Sequence, residues 1–152
     1  MNTSKLCIIG EAGVGKTTLV KLLTEQQLND CRKPTVGVAV ERVEIGNDAL
    51  ALWDLAGQKR FQFMWDEFMR GSKLTVVVTD SSQRNVEETK RIVERLQARE
   101  GSKLIAIANK QDLTNRMSPE EIQQQLGIPT FGMIAIQRGN EDSLKEILLR
   151  NI

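Results

Sequence analysis

Short apolar runs recur along the chain at Leu6–Gly10, Val36–Ile45, Ala49–Asp54, Leu74–Asp80, Leu104–Asn109 and Phe131–Ile136. Their Val, Ile and Leu content and their length predict six strands. Gly46-Asn47-Asp48 separates the second run from the third and predicts a tight hairpin, hence one antiparallel pair. Elsewhere the polar stretches between runs carry a helical period. Val86, Thr89, Val93, Leu96 and Glu100 fall near one face, while Glu87, Lys90, Arg91, Glu94 and Arg95 point away. Ser118-Pro119-Glu120-Glu121 supplies a cap, a proline at the first helical position and acids in the first turn, and Gly127 supplies a stop. Ser143–Arg150 predicts a last, short helix. Strands alternating with helices predict an α/β domain spanning residues 1–152. Its six-stranded sheet is mostly parallel with one antiparallel strand, and helices cover both faces. In such sheets ligands bind beyond the carboxyl ends of the strands.

Composition narrows the chemistry. A chain of 152 residues is long enough for a real core, and a net charge of +1 provides no overall field to gather nucleic acid or an anionic membrane. Any anion site must therefore be local. The absence of histidine excludes histidine acid–base catalysis and histidine-ligated zinc. Cys7 and Cys31 are too few for a disulfide framework or a cysteine zinc site, and they fit a reducing, cytoplasmic setting. There is no apolar leader, no glycine at position 2, no cysteine near the end and no run of membrane-spanning length. The expectation is no intrinsic membrane anchor, although a piece of a longer protein would read the same way.

Gly10-Glu11-Ala12-Gly13-Val14-Gly15-Lys16-Thr17 fits G-x-x-x-x-G-K-[ST], between an apolar strand and a helical stretch. Glycines let backbone N–H groups turn inward around an anion, and the following helix aims its positive end at it. Lys16 suits the β- and γ-phosphates of a nucleotide, and the Thr17 hydroxyl is a hard ligand for Mg²⁺, with Thr18 next to it. A chance glycine-rich turn is the competing reading, which the strand–loop–helix context disfavours. This motif alone says nucleoside triphosphate without saying which base.

The base is read further on. Asn109-Lys110-Gln111-Asp112 follows the fifth run. Guanine presents paired donors at N1 and the 2-amino group, and the Asp112 carboxylate accepts from both. Adenine lacks that edge, which disfavours an ATP-using kinase or ATPase. Asn109 either supports the other edge of the base or ties this loop to the phosphate loop, and the Lys110 stem lies along the ring plane. Asp54-Leu55-Ala56-Gly57-Gln58 ends the third run. Asp54 is placed to support the magnesium shell through water. Gly57 can bring its N–H to a γ-phosphate, and Gln58 can orient an attacking water. Thr35, after Pro34, is assigned by position as the second protein oxygen on Mg²⁺ and a γ-phosphate donor.

Phosphate loop, Pro-Thr, D-x-A-G-Q and N-K-Q-D occur in the order and spacing of the Ras superfamily of small GTPases, which the whole chain resembles. Trp53-Asp54, Trp65 and Asn-Lys-Gln-Asp-Leu look like the Arf branch. Ala56 and Gly13-Val14-Gly15 look more like Rab or Ras. The resemblance implies a P-loop NTPase of the Ras-like G-domain type. Such a domain binds GTP or GDP with Mg²⁺, hydrolyses GTP slowly through Gln58, Lys16 and Thr35, and switches its loops with nucleotide state. It further implies effectors, an exchange factor and an activating protein at Arg32–Val36 and Gln58–Met69. A non-hydrolysing GTP-binding scaffold domain of a larger assembly is the alternative.

Two positions depart from the family pattern or add to it. Where the last family motif is usually Ser-Ala-Lys, this chain has Ile134-Ala135-Ile136. Only Ala135 carries over, through a backbone N–H to the guanine O6. Arg32 lies three residues before Thr35, like the segment by which G-protein α subunits supply an arginine in cis. The plainer reading of Arg32 is a solvated loop arginine. Finally, four of the six aromatics fall between Phe61 and Phe68. A helix there would bury Phe61, Trp65, Phe68 and Met69 on one face and leave Phe63 on a partly exposed, partner-binding patch.

Overall fold

A computed structural model describes residues 3–24, 37–98, 103–135 and 137–152. Among the described residues six strands form one sheet: β1 (Thr3–Ile9), β2 (Val38–Ile45), β3 (Asp48–Leu55), β4 (Leu74–Thr79), β5 (Leu104–Ala108) and β6 (Thr130–Gly132). Their order is β2-β3-β1-β4-β5-β6. Only β2 and β3 pair antiparallel, joined by Gly46-Asn47 with Ile45 opposite Asp48. Gly46 has φ +60°, which a side chain would resist and a glycine-first hairpin turn requires. The helices are α1 (Lys16–Leu23), α2 (Trp65–Phe68), α3 (Gln83–Gln97), α4 (Pro119–Leu126) and α5 (Glu141–Asn151).

The pleat of β1 shows how the sheet is built. Leu6 and Ile8 enter the core on the side of α1 and α5, with Leu19, Leu144 and Leu148. Cys7 and Ile9 enter the opposite core, with Trp65, Val86, Val93 and Ile122 from α2, α3 and α4. A strand buried on both faces needs no polar alternation, so β4 and β5 read as unbroken apolar runs. Burial pushes the Cys7 thiol pKa up, which keeps it protonated and inert.

Local signals set the helix ends. The Ser82 side chain accepts from the Asn85 N–H and starts α3, whose buried stripe includes Val86, Thr89, Val93 and Leu96. Glu100 lies outside the described residues. Ser118 and Glu121 form a reciprocal capping box at α4, and Gly127 closes that helix in the left-handed conformation.

Three expectations are corrected. The last strand stops at Gly132 instead of reaching Ile136, because β5 ends at Ala108 and leaves nothing beyond Met133 to pair with. The last helix begins at Glu141, two residues early, with Glu141 and Asp142 in its first turn. Residues 59–68 form a 3₁₀ segment (Lys59–Met64) followed by the single turn of α2, not one helix. Trp65 and Met69 are buried as expected, Phe61 and Phe68 are half-buried, and Phe63 is 77% exposed. Among the described residues, no helix is long and apolar enough to cross a membrane.

Candidate functional site

The loop between β1 and α1 lies at the carboxyl edge of the sheet. Gly13 (φ +87°) and Gly15 (φ +92°) turn it in the left-handed region. Gly15 is doubly required, since a Cβ there would stand 2.2 Å from Asn109 Nδ2. The loop, with Gly57, Gln58 and Lys110, lines a cavity of about 470 Å³. A second cavity, about 280 Å³, lies between Asn109, Asp112, Leu113, Ile134 and Ala135. Gly15, Thr18 and Lys110 line both, so the two form one trough.

Side chains of the Asn109–Asp112 loop clamp the trough together. Asn109 is buried, donates from Nδ2 to the Val14 carbonyl at 3.1 Å, and accepts the Ala135 N–H at Oδ1, also at 3.1 Å. Of the two roles open to Asn109, the structure shows the tie to the phosphate loop. It also redirects Ala135: the N–H expected on a purine carbonyl is engaged by Asn109, although the residue still lines the second cavity. Lys110 stretches across to donate from Nζ to the Gly13 carbonyl at 2.9 Å. Asp112 is exposed at the far end of the trough.

At the near end, the Lys16 ammonium pairs with the Asp54 carboxylate. Both are nearly excluded from solvent, at 7% and 1% exposure, and their pairing offsets the cost of burying each charge. Thr17 and Thr18 are half-buried beside them and line the cavity. Among the described residues there is no group of three metal-binding Asp, Glu, Cys or His. Among the described residues, the candidate oxygens are the Thr17 hydroxyl, which lines the cavity, and the Asp54 carboxylate, which is paired with Lys16. That set fits Mg²⁺, which is bound by one or two protein oxygens and completed by substrate phosphates.

Gly57 packs on the phosphate loop itself. A Cβ there would lie 2.3 Å from the Gly10 carbonyl oxygen, so glycine is needed for close approach rather than for an unusual φ. Gln58 Oε1 accepts from Arg60 Nε at 3.0 Å, an arrangement in which the side chain is held by its neighbour. The buried Trp65 donates from Nε1 to the Ala56 carbonyl at 3.0 Å, and Arg95 lies over its ring. Arg32, Thr35 and Val36 lie outside the described residues.

One brace escaped the sequence reading. Asn85 of α3, fully buried, donates from Nδ2 to Glu11 Oε1 at 3.0 Å, and Arg84 Nη1 stands 3.6 Å from Glu11 Oε2. The phosphate loop is thus held from the α3 side. Its sequence trace is an amide, Asn85, on the buried, mainly apolar stripe that also carries Thr89.

With this geometry in place, the relatives are informative. The sequence profile of the ADP-ribosylation factor (Arf) family matches residues 1–143. The chain belongs to the Arf family. This Arf-family chain is 32% identical over 131 residues to ADP-ribosylation factor J of Dictyostelium discoideum, covering 82% of the chain and 68% of that protein. It shares its fold with the Arl6 (BBS3) small GTPase from Trypanosoma brucei, a structure with the bound nucleotide analogue GppNp. The TM-score is 0.80 at 20% identity, over 99% and 100% of the two chains. The divided resemblance therefore resolves towards Trp53-Asp54 and Asn-Lys-Gln-Asp-Leu. Ala56 and Gly13-Val14-Gly15, which look more like Rab or Ras, stand within a GTP-binding small G protein of the Arf family.

Proposed function

We propose that this Arf-family chain binds GTP and GDP with Mg²⁺ and hydrolyses GTP, so that its loops report which nucleotide is bound. The observation that carries this reading is the single trough, with an ammonium in a glycine-turned loop at one end and a carboxylate at the other. A phosphate chain fits the first and a donor-edged purine the second. Lys16 and the loop N–H groups of Gly13, Val14 and Gly15 neutralise and orient the phosphates, flanked by Glu11, Ala12 and Thr18. Asn109 and Lys110 hold the base loop, and Asp112 reads the guanine edge. Thr17 and Thr35 hold Mg²⁺, supported by Asp54 through water. The ion, when bound, supplies charge neutralisation at the phosphates. Gln58, released from Arg60, orients water, and Thr35 and Gly57 contact the γ-phosphate.

Nucleotide extracted from the purified protein is expected to be GDP or GTP, identified by chromatography. Gln58→Leu is expected to slow single-turnover GTP hydrolysis about tenfold while leaving nucleotide affinity unchanged. Equal rates for parent and variant would favour the non-hydrolysing scaffold. Bound ATP would defeat the base assignment.

Effectors, an exchange factor and an activating protein engage the segments around 32–36 and 58–69 in this reading. Phe63, at 77% exposure, supplies the apolar anchor. Phe63→Ala should weaken GTP-dependent capture of such a partner by roughly tenfold or more. Nucleotide affinity, measured in parallel, should stay constant. A fall in that affinity would make Phe63 structural.

A further inference from the structure

Among the described residues, two non-glycine positions adopt left-handed backbone, Ser81 (φ +68°) and Lys110 (φ +60°). They lie 29 positions apart in sequence yet belong to one hydrogen-bonded unit. Ser81 is fully buried in the turn between β4 and α3. Its hydroxyl donates to the Asn109 carbonyl at 2.6 Å and accepts from Gln111 Nε2 at 2.8 Å. The same hydroxyl therefore grips the residues on both sides of Lys110. Around this point the Ser81 carbonyl accepts the Met117 N–H at 2.8 Å. Gln111 also donates to the Met117 carbonyl and accepts from Arg116.

A glycine would adopt φ +68° without resistance, whereas a side chain at 81 opposes it. What serine adds is the hydroxyl. Strained backbone held in place by its surroundings points to function. Asp112, the next residue after Gln111, is exposed and makes no side-chain hydrogen bond or ion pair among the described residues. Its direction is thus set by the backbone of its own loop. Ser81 holds that loop at the Asn109 carbonyl and at the Gln111 side-chain amide, while the Gln111 N–H bonds the Met133 carbonyl.

We propose that Ser81 is a positioning residue for base selection: its hydroxyl aims Asp112 by locking the Asn109–Gln111 turn. The proposal rests on the reading of Asp112 as the guanine reader. It separates two tasks within the loop. Asn109 and Lys110 join base loop to phosphate loop, and Ser81 sets the pitch of the residue that discriminates.

The test compares the parent with Ser81→Gly and Ser81→Ala by titrating GDP, IDP and ADP. IDP lacks the 2-amino group, so the GDP:IDP ratio reads the aim of Asp112. Ser81→Gly removes the hydroxyl and relieves the backbone, while Ser81→Ala removes the hydroxyl and keeps the opposition. Both variants are expected to lose about tenfold in GDP affinity and about threefold for IDP, narrowing the ratio about threefold. Thermal melting, read alongside, should place Ser81→Gly at least as high as Ser81→Ala. An unchanged GDP:IDP ratio in the folded Ser81→Gly protein would overturn the proposal, because a merely structural serine weakens both ligands alike. A parent that does not prefer GDP to ADP would instead sink the guanine reading, and this proposal with it.

Discussion

Asp112→Asn is expected to turn the protein from guanosine to xanthosine nucleotides. Xanthine carries a carbonyl where guanine carries its 2-amino group, and an asparagine amide donates where a carboxylate can only accept. Two charge-assisted hydrogen bonds are lost, which lowers GTP affinity on the order of 10³-fold, and XTP affinity should rise by a comparable factor. Competition of GTP and XTP against a labelled nucleotide measures both. The geometry favours a clean result. Asp112 is exposed at its end of the trough and forms no internal contact that the change would break, among the described residues. A variant that still prefers GTP would place base reading on another residue of the same cavity.

Lys16→Ala should have two separable consequences. Affinity for nucleoside triphosphate falls on the order of 10²- to 10³-fold, as a desolvated phosphate loses its cation. The folded protein also loses about 3 kcal/mol, because Asp54, at 1% exposure, is stripped of its ammonium partner. Adding Asp54→Asn should restore much of the stability without restoring nucleotide affinity. Urea unfolding and nucleotide titration of the single and double variants give the comparison. Recovered affinity in the double variant would remove Lys16 from the phosphate site. Stability unchanged by Lys16→Ala would show that the pair contributes nothing net to the fold.

What could be read from the sequence was whatever is contiguous. β4 is buried at all six positions, so its apolar run was visible without any alternation to decode. The phosphate loop is a single stretch whose glycines and lysine carry their reasons with them. The capping box and glycine stop of α4 are equally local. Three-dimensional partnerships were not visible. Lys16 and Asp54 stand 38 residues apart, and Asn109 meets Val14 across 95. Neither contact leaves a periodic trace. The sequence left two roles open to Asn109, because an amide can serve a ligand or a carbonyl equally well. Resemblance places Ala135 on the base, whereas the course of the chain beyond β6 turns its N–H to Asn109. Between 59 and 69 the hydrophobic spacing suggested one helix. A 3₁₀ segment followed by the single turn of α2 carries the same residues, with Trp65 buried and Phe63 outside.

The two tryptophans flank Asp54–Gln58, the end of β3 and the loop that leaves it. Trp53 stands just before it against Phe68, with the Lys5 ammonium 3.8 Å from its ring centre, and Trp65 is bonded from below to Ala56. The chain has no other tryptophan and no tyrosine. Its near-ultraviolet emission therefore comes from indoles adjoining that one loop, with no background from elsewhere. A rearrangement that withdraws the Ala56 carbonyl or shifts Lys5 changes the polarity felt by an excited ring. The unlabelled protein thus carries its own optical gauge, and a stopped-flow trace can follow this loop in real time.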